Sequence, residues 1–308
     1  MAISGNDIGQ VAGASSSCCQ ACQQNSNCVS STWNSTNGGT CWLKNDTQPL
    51  STSSGAFTTI LAPDANHKFT LSVSYTAPNF FDQWIYETVD YNHGFVEYVD
   101  QDIAQDLGLI SIKNDGKIMI SVEANHTLPV NSTKGRPSVF LKSWQQYSSG
   151  LFIFDIDHMP TCPGCWPAFW TTGYPWPDDG EIDILEYIDT SPGNSITLHT
   201  RDNCSMPLED SDYFTGKWGE HENNPATDCF AYQYSGAGCN VKAANGTVNA
   251  PFNQAGGGVF AMHWEANQFI RIWNFVRPNV PSDISQDAKT LYDTIRNCIR
   301  KLTGQSII

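Results

Sequence analysis

Three carboxylates, Glu181, Asp183 and Glu186, lie within six residues of the sequence. They directly follow a segment dense in tryptophan and proline, residues 165–177, which reads Cys-Trp-Pro-Ala-Phe-Trp-Thr-Thr-Gly-Tyr-Pro-Trp-Pro. Glycoside hydrolysis uses a pair of carboxylic acids, and the flat faces of aromatic side chains can cover the apolar faces of sugar rings. The combination is therefore what hydrolysis of a neutral polysaccharide requires.

Aliphatic residues alternate with these acids, which predicts a β-strand whose side chains point to opposite faces with a period of two. Glu181 and Asp183 then share a face, but strict alternation would send Glu186 to the other one. A β-bulge near Ile184 or Leu185 would return it to the face of the other acids. The two glutamates would be about four strand steps apart, roughly 13 Å along the backbone. Side chains that lean toward each other could then reach the roughly 5–5.5 Å separation of a retaining glycosidase.

Three acids this close in sequence cannot all ionise without cost, so at least one pKa should be raised. Asp183, between the two glutamates, is the natural mediator, and the cluster should keep one proton to donate. A solvated acidic strand is the first alternative, disfavoured because acids on a buried face need a reason. A calcium site is the second, disfavoured because calcium usually takes an aspartate-rich loop with glycine.

The rhythm of the chain is that of an all-β protein. Two strand-like runs, 109–113 and 117–122, flank Asn114-Asp115-Gly116, which predicts a hairpin. Further strand-like runs are 151–156, 182–187, 195–199, 259–264 and 269–276. Many strands with short turns and hardly any helix predict an antiparallel β-sandwich of two sheets.

The pattern Glu-x-Asp-x-x-Glu after Trp-Pro-Ala-Phe-Trp resembles glycoside hydrolase family 16, in particular its fungal-type endo-1,3(4)-β-glucanases or laminarinases. The resemblance covers roughly residues 70–284. Shorter matches occur in order at 80–84, 94–99, 136–139, 150–152, 158–160, 197–200 and 256–262. It implies a jelly roll of the concanavalin A type, in which a concave sheet carries the cleft.

The resemblance also implies the catalytic roles. Glu181 would be the nucleophile, Asp183 its assisting acid and Glu186 the general acid/base of a retaining endo-β-glucanase. The implied enzyme hydrolyses internal β-1,3 or mixed β-1,3-1,4 glucosidic bonds by double displacement, and the sequence does not distinguish these linkages. The reaction needs no cofactor and no metal. The β-glucan polysaccharide or oligosaccharide is then the expected partner.

Five residues would bind the substrate by the same resemblance: Trp170, Trp176, Trp166, Arg136 and His199. The tryptophans would stack on or flank glucosyl rings, and the other two would hydrogen-bond sugar hydroxyls or a catalytic carboxylate. Each has a plainer alternative. Trp166 could equally be a core residue, Arg136 only a salt-bridge partner and His199 only a hydrogen-bonded core histidine. Trp176 lies in a predicted loop among prolines, which favours contact with the substrate over a place in the core.

The charge and hydropathy of the chain narrow the classes of molecule that it could bind. The chain of 308 residues carries a formal charge of −15, which argues against nucleic acid, anionic membranes and acidic polysaccharides. No stretch of about 18 apolar residues occurs, so we predict no transmembrane helix. Acidity alone would not identify a neutral glucan, but it suits one.

The cysteines and sequons indicate an oxidising compartment, and we expect an extracellular protein, secreted or associated with the cell wall. The chain has 11 cysteines and six glycosylation sequons, at Asn34, Asn45, Asn125, Asn131, Asn203 and Asn245. Residues 1–7 lack the basic and apolar regions of a signal peptide, which suggests that the N-terminus is incomplete.

Residues 1–63 form a predicted small module with a Ser/Thr-rich linker at 48–59. Its cysteine pattern, Cys18-Cys19-x-x-Cys22 followed by Cys28 and Cys41, resembles a PAN/apple module, which binds protein or carbohydrate ligands. Five cysteines are odd in number and leave one without a partner in the module. Zinc binding is the alternative, weakened because this stretch contains no histidine.

Five further features complete the predicted organisation of the chain. The spacing of Cys162 and Cys165 favours a structural disulfide over a redox pair or half of a zinc site. We also expect disulfide bonding among Cys204, Cys229 and Cys239, although the sequence does not decide which of them pair. The catalytic sandwich is expected at 64–284. Residues 285–308, with apolar residues at helical spacing, form an atypical tail in place of the family's final strands. His263 stands where relatives usually have glutamate.

A rival interpretation follows from that tail. A chain that lacks the final strands would lose pairing in its core, and could then be a non-catalytic β-glucan-binding or adhesion protein on the same sandwich. Loss of a catalytic glutamate would favour this interpretation, yet both glutamates are present.

Overall fold

The computed structural model describes residues 2–3, 5–13, 18–46, 50–51, 57–60, 69–206, 215–266, 269–281, 284 and 299–300. Its contacts divide the chain into two compact units: Met1–Thr70 with Ser149–Ile308, and Leu71–Ser148. Each unit is described by itself below. Within the described part of the chain, no helix has the length and apolar character needed to cross a membrane.

The N-terminal part is a small sheet stapled by disulfides. Its elements are β1 (Ala2–Ile3), β2 (Asp7–Ala12), helix α1 (Cys18–Gln23), β3 (Ser30–Asn34), β4 (Thr40–Lys44), β5 (Leu50–Ser51) and β6 (Phe57–Ile60), with a 3-10 turn at Thr36–Gly38. Disulfides join Cys18 to Cys41 and Cys22 to Cys28, so α1 is bonded to β4 and to the segment that precedes β3. Such bridges compensate for a core too small to stabilise the unit alone.

The predicted linker at 48–59 is wrong in part. Strand β5 and all but the last residue of β6 fall inside it, and β6 pairs with β3 in antiparallel register, with Trp33 opposite Phe57. The Ser/Thr-rich composition of the segment suggested a linker. Within it, however, Phe57-Thr-Thr-Ile60 consists of aromatic and β-branched residues, which favour a strand.

The second unit contains β7 (Trp84–Tyr86), β8 (Val96–Tyr98), helix α2 (Gln101–Asp106), β9 (Ile110–Ile112), β10 (Ile118–Ile120), β11 (Arg136–Ser138) and β12 (Leu141–Ser143), after a 3-10 turn at Phe80–Gln83. The predicted hairpin is confirmed, because β9 and β10 pair antiparallel around residues 113–117. The carboxylate of Asp100 caps α2 by accepting from the amide of Ile103 at 2.9 Å. Buried side chains of Phe81, Val99 and Leu109 fill its core.

The rest of the first unit contains β13 (Gly150–Ile156), β14 (Ala168–Thr172), β15 (Glu181–Glu186), β16 (Ser195–His199), β17 (Lys217–Trp218), β18 (Glu220–His221), β19 (Asn224–Pro225), β20 (Cys239–Lys242), helix α3 (Asn249–Gln254), β21 (Gly258–Glu265), β22 (Phe269–Val276) and β23 (Ile299–Arg300), with a 3-10 turn at Gln233–Gly236. A three-stranded sheet has the order β13-β21-β22, and a five-stranded sheet has the order β14-β15-β16-β20-β17. All pairs in both sheets are antiparallel. The five strands predicted in this part of the chain are confirmed to within one residue at each end.

One hydrophobic core joins these two sheets. Ile182 and Ile184 of β15 pack in the same buried cluster as Phe260 and Met262 of β21, and each is at most 3% exposed. Burial of apolar area of this kind is the main force that holds a two-layer fold together. The predicted antiparallel β-sandwich with a disulfide-rich N-terminal part is thereby confirmed.

The predicted tail, 285–308, lies outside the described residues except for β23. This strand pairs antiparallel with β6, with Ile299 opposite Ile60. The helix expected from the spacing of apolar residues in the tail is therefore wrong at Ile299, which lies in a strand. The predicted domain boundaries at 63 and 284 stay predictions.

Candidate active site

The acidic strand β15 carries the β-bulge that the spacing of its acids requires. Along the β14 pairing, Leu185 stands opposite Phe169, whereas the next partner, Trp170, stands opposite Asp183. Ile184 is thus the extra residue, at one of the two positions predicted. The bulge shifts the alternation by one residue.

As a result, the three acids share a face. The apolar residues of β15 all join the core and are buried: Ile182, Ile184 and Leu185. Glu181 and Glu186 are half-buried on the other side, and Asp183 between them is 3% exposed. Their partners on β14, Thr172 and Ala168, are four residues apart, so the backbones of the two glutamates are separated by roughly 13 Å, as expected.

Strand β16 supplies the next residue of this face. His199 stands opposite Glu181, and its Nε2 lies 3.1 Å from Oδ2 of Asp183. The ring is half-buried, and its Nδ1 is buried without a hydrogen-bond partner among the described residues. His199 therefore contacts a predicted catalytic carboxylate, as its predicted role requires.

Two indole N–H groups reach the glutamates from opposite sides. Nε1 of Trp166 donates to Oε1 of Glu186 at 2.8 Å, and Nε1 of Trp176 donates to a carboxylate oxygen of Glu181. Trp166 is 62% exposed and Trp176 40%, so both rings present a face to solvent. The alternative that Trp166 is a core residue is wrong, because its side chain is mostly exposed.

Trp170 is placed by the register of the sheet. It stands directly opposite Asp183 on β14, and directly opposed residues of an antiparallel pair point to the same face. Its side chain is half-buried. Of the predicted tryptophans, all three therefore lie on or beside the acidic face.

The loop that carries Trp176 is closed tightly at its base. The amide of Gly173 donates to the carbonyl of Gly180 at 2.8 Å, and a Cβ at Gly173 would collide with Asp179. Gly180 has φ +80°, a conformation that other residues rarely adopt. These two glycines let the chain turn back into β15 directly at Glu181.

Sequence reasoning missed Tyr232. Its ring meets that of Trp176 edge to face, with centroids 5.9 Å apart, and it is 66% exposed. The loop that holds it is closed by the disulfide Cys229–Cys239 and pairs with the end of β16 through Thr200. The aromatic residues at 230, 232 and 234 between two cysteines were the available signal.

Arg136 belongs to the second unit. Its Nη1 donates to the carbonyl of His126 at 2.8 Å and lies 3.5 Å from Oε2 of Glu123, a buried carboxylate. These contacts are those of a salt-bridge partner. Its predicted contact with substrate stays a prediction.

The remaining cysteine predictions are confirmed in part. Cys162 bonds Cys165, as a structural bridge requires, and Cys229 bonds Cys239. Cys204, also predicted to be bridged, is a free thiol within the described part of the chain. Its neighbours Cys229 and Cys239 are already joined to each other.

The acids and His199 influence one another's ionisation. Burial, and then the charge of Asp183, raise the pKa of Glu181 from its ordinary value of 4.5 to about 7. The same two causes raise the pKa of Glu186. Burial would lower the pKa of His199, but its hydrogen bond to Asp183 and the surrounding negative charges outweigh burial and raise it. The cluster can therefore hold a proton near neutral pH, as acid catalysis requires.

This raised pKa predicts a pH-dependent stability. Between pH 4.5 and about 7 the folded protein binds a proton at Glu181 that the unfolded chain does not, so stability should fall as pH rises through this window. Glu181→Gln removes the titrating group. We expect this variant to match the wild type in thermal unfolding midpoint near pH 4.5 and to exceed it at pH 8. An exposed control, Glu220→Gln, should leave the difference between the two pH values unchanged.

Among the described residues, the side chains of Glu181, Asp183 and His199 have the geometry to hold a metal ion. A carboxylate oxygen from each of Glu181 and Asp183 and a ring nitrogen of His199 all lie within 4.8 Å of one another. In this arrangement Asp183 and His199 are hydrogen-bonded to each other, and Glu181 accepts from Trp176. A histidine ligand also does not suit calcium, which prefers oxygen. The set is better suited to proton chemistry than to metal binding.

Two family profiles match the chain. One, described as XgeA-like, catalytic GH16 domain, matches residues 83–304, and the other, a PAN domain, matches residues 1–44. A probable endo-1,3(4)-beta-glucanase of Neosartorya fischeri is 37% identical over 229 residues, which are 74% of this chain and 34% of that protein. A probable glycosidase of Schizosaccharomyces pombe is 38% identical over 70% of this chain and 50% of its own length. The chain thus spans about a third to a half of these curated relatives.

Solved structures of two relatives share its architecture. An elongating GH family 16 beta-1,3-glucosyltransferase is 35% identical, with a TM-score of 0.66 over 77% of each chain. Laminarinase 16A from Phanerochaete chrysosporium, solved with beta-glucans in donor and acceptor sites, is 33% identical, with a TM-score of 0.64 over 71% of this chain and 72% of its own.

Proposed function

Since the chain belongs to glycoside hydrolase family 16, we propose that it is a retaining endo-β-glucanase that cleaves internal β-1,3 bonds of neutral glucans. One observation carries this proposal. Three acids share one face of a bulged strand, and each glutamate accepts a hydrogen bond from an exposed tryptophan. Named relatives with endo-1,3(4)-beta-glucanase and laminarinase activities support the substrate class.

The proposed reaction has two displacements. In the reactive form of the cluster the shared proton is on Glu186 and Glu181 is ionised. Glu186 then protonates the glycosidic oxygen as its bond to the anomeric carbon breaks, while Glu181 attacks that carbon and forms a glucosyl ester. Deprotonated Glu186 then takes a proton from water, and the water oxygen displaces Glu181 with overall retention. Burial, and then the charge of Asp183, which lies within hydrogen-bond distance of His199, raise the pKa of both glutamates and so keep the shared proton available. This chemistry uses no cofactor.

The exposed indoles are proposed to position the glucan. The indole N–H groups of Trp176 and Trp166 each donate to a glutamate, and both indole rings leave a face open to solvent. A glucosyl ring stacked on either indole would therefore lie beside a reacting carboxylate. Trp170, His199 and Arg136 are the further proposed substrate contacts.

Trp176→Ala is expected mainly to raise KM, by about 2- to 13-fold, because stacking contributes on the order of 0.5–1.5 kcal/mol to binding. Trp176→Phe is the matched comparison, since it keeps a ring but loses the N–H that donates to Glu181. It should retain a KM closer to that of the wild type and change mainly the pH dependence of kcat. Steady-state kinetics on laminarin separate the two effects, and a KM unchanged by the alanine substitution would contradict the stacking role.

A second candidate activity is transfer of the glucosyl group to another glucan. The elongating beta-1,3-glucosyltransferase among the relatives favours it. The chemistry differs only in the acceptor, because a sugar hydroxyl would replace water in the second displacement. The non-catalytic β-glucan-binding alternative is not favoured, because both glutamates are present and share a face.

The N-terminal module is proposed to bind a carbohydrate or protein ligand outside the catalytic face. The PAN match and the two disulfides of this region also support a secreted or cell-wall protein. Glycosylation of the sequons is expected in that compartment.

The deciding experiment incubates the purified chain with laminarin and with mixed-linkage barley glucan, with Glu181→Gln as the control. New reducing ends measure hydrolysis, and the product length distribution measures transfer. Release that disappears in the control would support hydrolysis and rank the linkages. Redistribution of chain length without new reducing ends would favour transfer, and glucan binding with neither outcome would revive the non-catalytic alternative.

A further inference from the structure

One buried amide side chain lies against the bulge of β15. Asn194, the residue before β16, is fully buried. Its Nδ2 donates to the carbonyl of Ile184 at 2.8 Å, and its Oδ1 accepts from the amide of Glu186, also at 2.8 Å. A primary amide with this pair of contacts does what a backbone peptide of a neighbouring strand would do.

The amide stands where the regular ladder ends. Backbone pairing of β15 with β16 runs from Glu181, opposite His199, to Asp183, opposite Thr197. Beyond Asp183 the bulge takes the backbone of β15 out of register with β16. The carbonyl of Ile184 and the amide of Glu186 bond the side chain of Asn194 instead. Without it, the buried carbonyl of Ile184 and the partly buried N–H of Glu186 would each lose a hydrogen-bond partner, which costs free energy.

Asn194 is itself held from two further directions. Its Nδ2 also donates to Oδ1 of Asn274, on β22 of the opposite sheet, at 2.9 Å. Its backbone amide donates to Oγ1 of Thr247 at 2.9 Å. These hydrogen bonds fix the orientation of the Asn194 side chain. Through this side chain, the bulge of β15 is connected to both sheets of the sandwich.

We propose that Asn194 is a positioning residue that fixes the bulge and so holds Glu186 on the same face as Glu181. The proposal rests on the proposed function, in which Glu186 is the acid/base. A bulge released from this amide could relax toward regular alternation, which would turn Glu186 toward the core side. The side chain of Asn194 acts through the backbone of Glu186 and does not touch the substrate.

A matched control separates positioning from ordinary structural support. The amide of Asn253 makes the same pair of contacts, because its Oδ1 accepts from the amide of Met159 at 2.9 Å and its Nδ2 donates to the carbonyl of the same residue at 2.9 Å. Asn253 lies on α3, and its side chain bonds Met159 and lies within hydrogen-bond distance of His158 rather than bonding the backbone of β15. Asn253→Ala should thus cost stability without a specific effect on Glu186.

The test compares two substrates and one structural readout. Laminarin has a poor leaving group that needs protonation, whereas a 2,4-dinitrophenyl β-laminarioside has a good one that does not. For Asn194→Ala we expect turnover of laminarin to fall at least about 10-fold and release of dinitrophenol from the enzyme's first turnover to change less than about 3-fold. Amide hydrogen exchange at Glu186 should become faster in Asn194→Ala and stay unchanged in Asn253→Ala.

An equal loss on both substrates, or exchange at Glu186 that does not change, would overturn the proposal. If Asn194→Ala does not fold, Asn194→Asp replaces it, because aspartate has the same shape and keeps the acceptor for the Glu186 amide but loses the donor to Ile184. It should show the same difference between substrates in weaker form, and equal losses would overturn the proposal. If the wild type hydrolyses no glucan, the proposed function fails, while the exchange experiment still decides whether Asn194 holds the bulge.

Discussion

Replacing Glu181 by glutamine is expected to reduce kcat on laminarin by at least about 10³-fold, with the fold intact. The amide is nearly the same shape, but it cannot attack the anomeric carbon, so no glucosyl ester forms. The initial rate of appearance of reducing ends measures the loss. Glu220→Gln, an exposed glutamate on β18, serves as the control and should keep wild-type turnover.

Azide distinguishes a missing nucleophile from general damage. In Glu181→Ala a small anion can enter the space left by the side chain and attack the anomeric carbon while Glu186 supplies the proton. With an aryl β-laminarioside, the expected product is the inverted α-glucosyl azide. Formation of the β-azide instead, or turnover unchanged by either substitution, would refute the assignment of Glu181.

Replacing Glu186 by alanine should produce the second largest effect, and it should depend on the leaving group. Loss of general acid catalysis is expected to lower turnover of laminarin by about 10²- to 10⁴-fold. A dinitrophenyl laminarioside should still react with Glu181 at close to the wild-type rate. The glucosyl enzyme should then accumulate, since no base activates water, and mass spectrometry of the intact protein measures it.

Azide should rescue this variant with the opposite stereochemistry. Attack on the ester at Glu181 yields the β-azide, because two inversions have occurred. A laminarin rate and a dinitrophenyl rate that fall equally would show that Glu186 is not the proton donor.

The sequence predicted the acidic face because strand alternation is a strict local rule. The spacing of Glu181, Asp183 and Glu186 admitted a common face only if one residue were extra, and the structure places that residue at Ile184. The hairpin around residues 114–116 was predictable for the same reason, since its turn residues have strong local preferences.

Other parts of the site depend on contacts between residues distant in sequence. Asn194 lies eight residues after Glu186 and contacts Asn274, 80 residues further on, so no local pattern marks its role. Tyr232 meets Trp176 only because a disulfide-closed loop returns to the end of β16. Strand β6 was missed because serine and threonine around it resemble a linker by composition alone.

The hydrogen bonds from the two indoles have an optical consequence. Indole emission responds to the charge of a group bonded to its N–H, and here each of two exposed tryptophans is bonded to a different glutamate. Protonation of Glu181 removes a negative charge beside Trp176, and protonation of Glu186 does so beside Trp166. The protein thus carries a built-in fluorescent reporter for each carboxylate, and substituting one tryptophan at a time allows the two ionisations to be followed separately without a label.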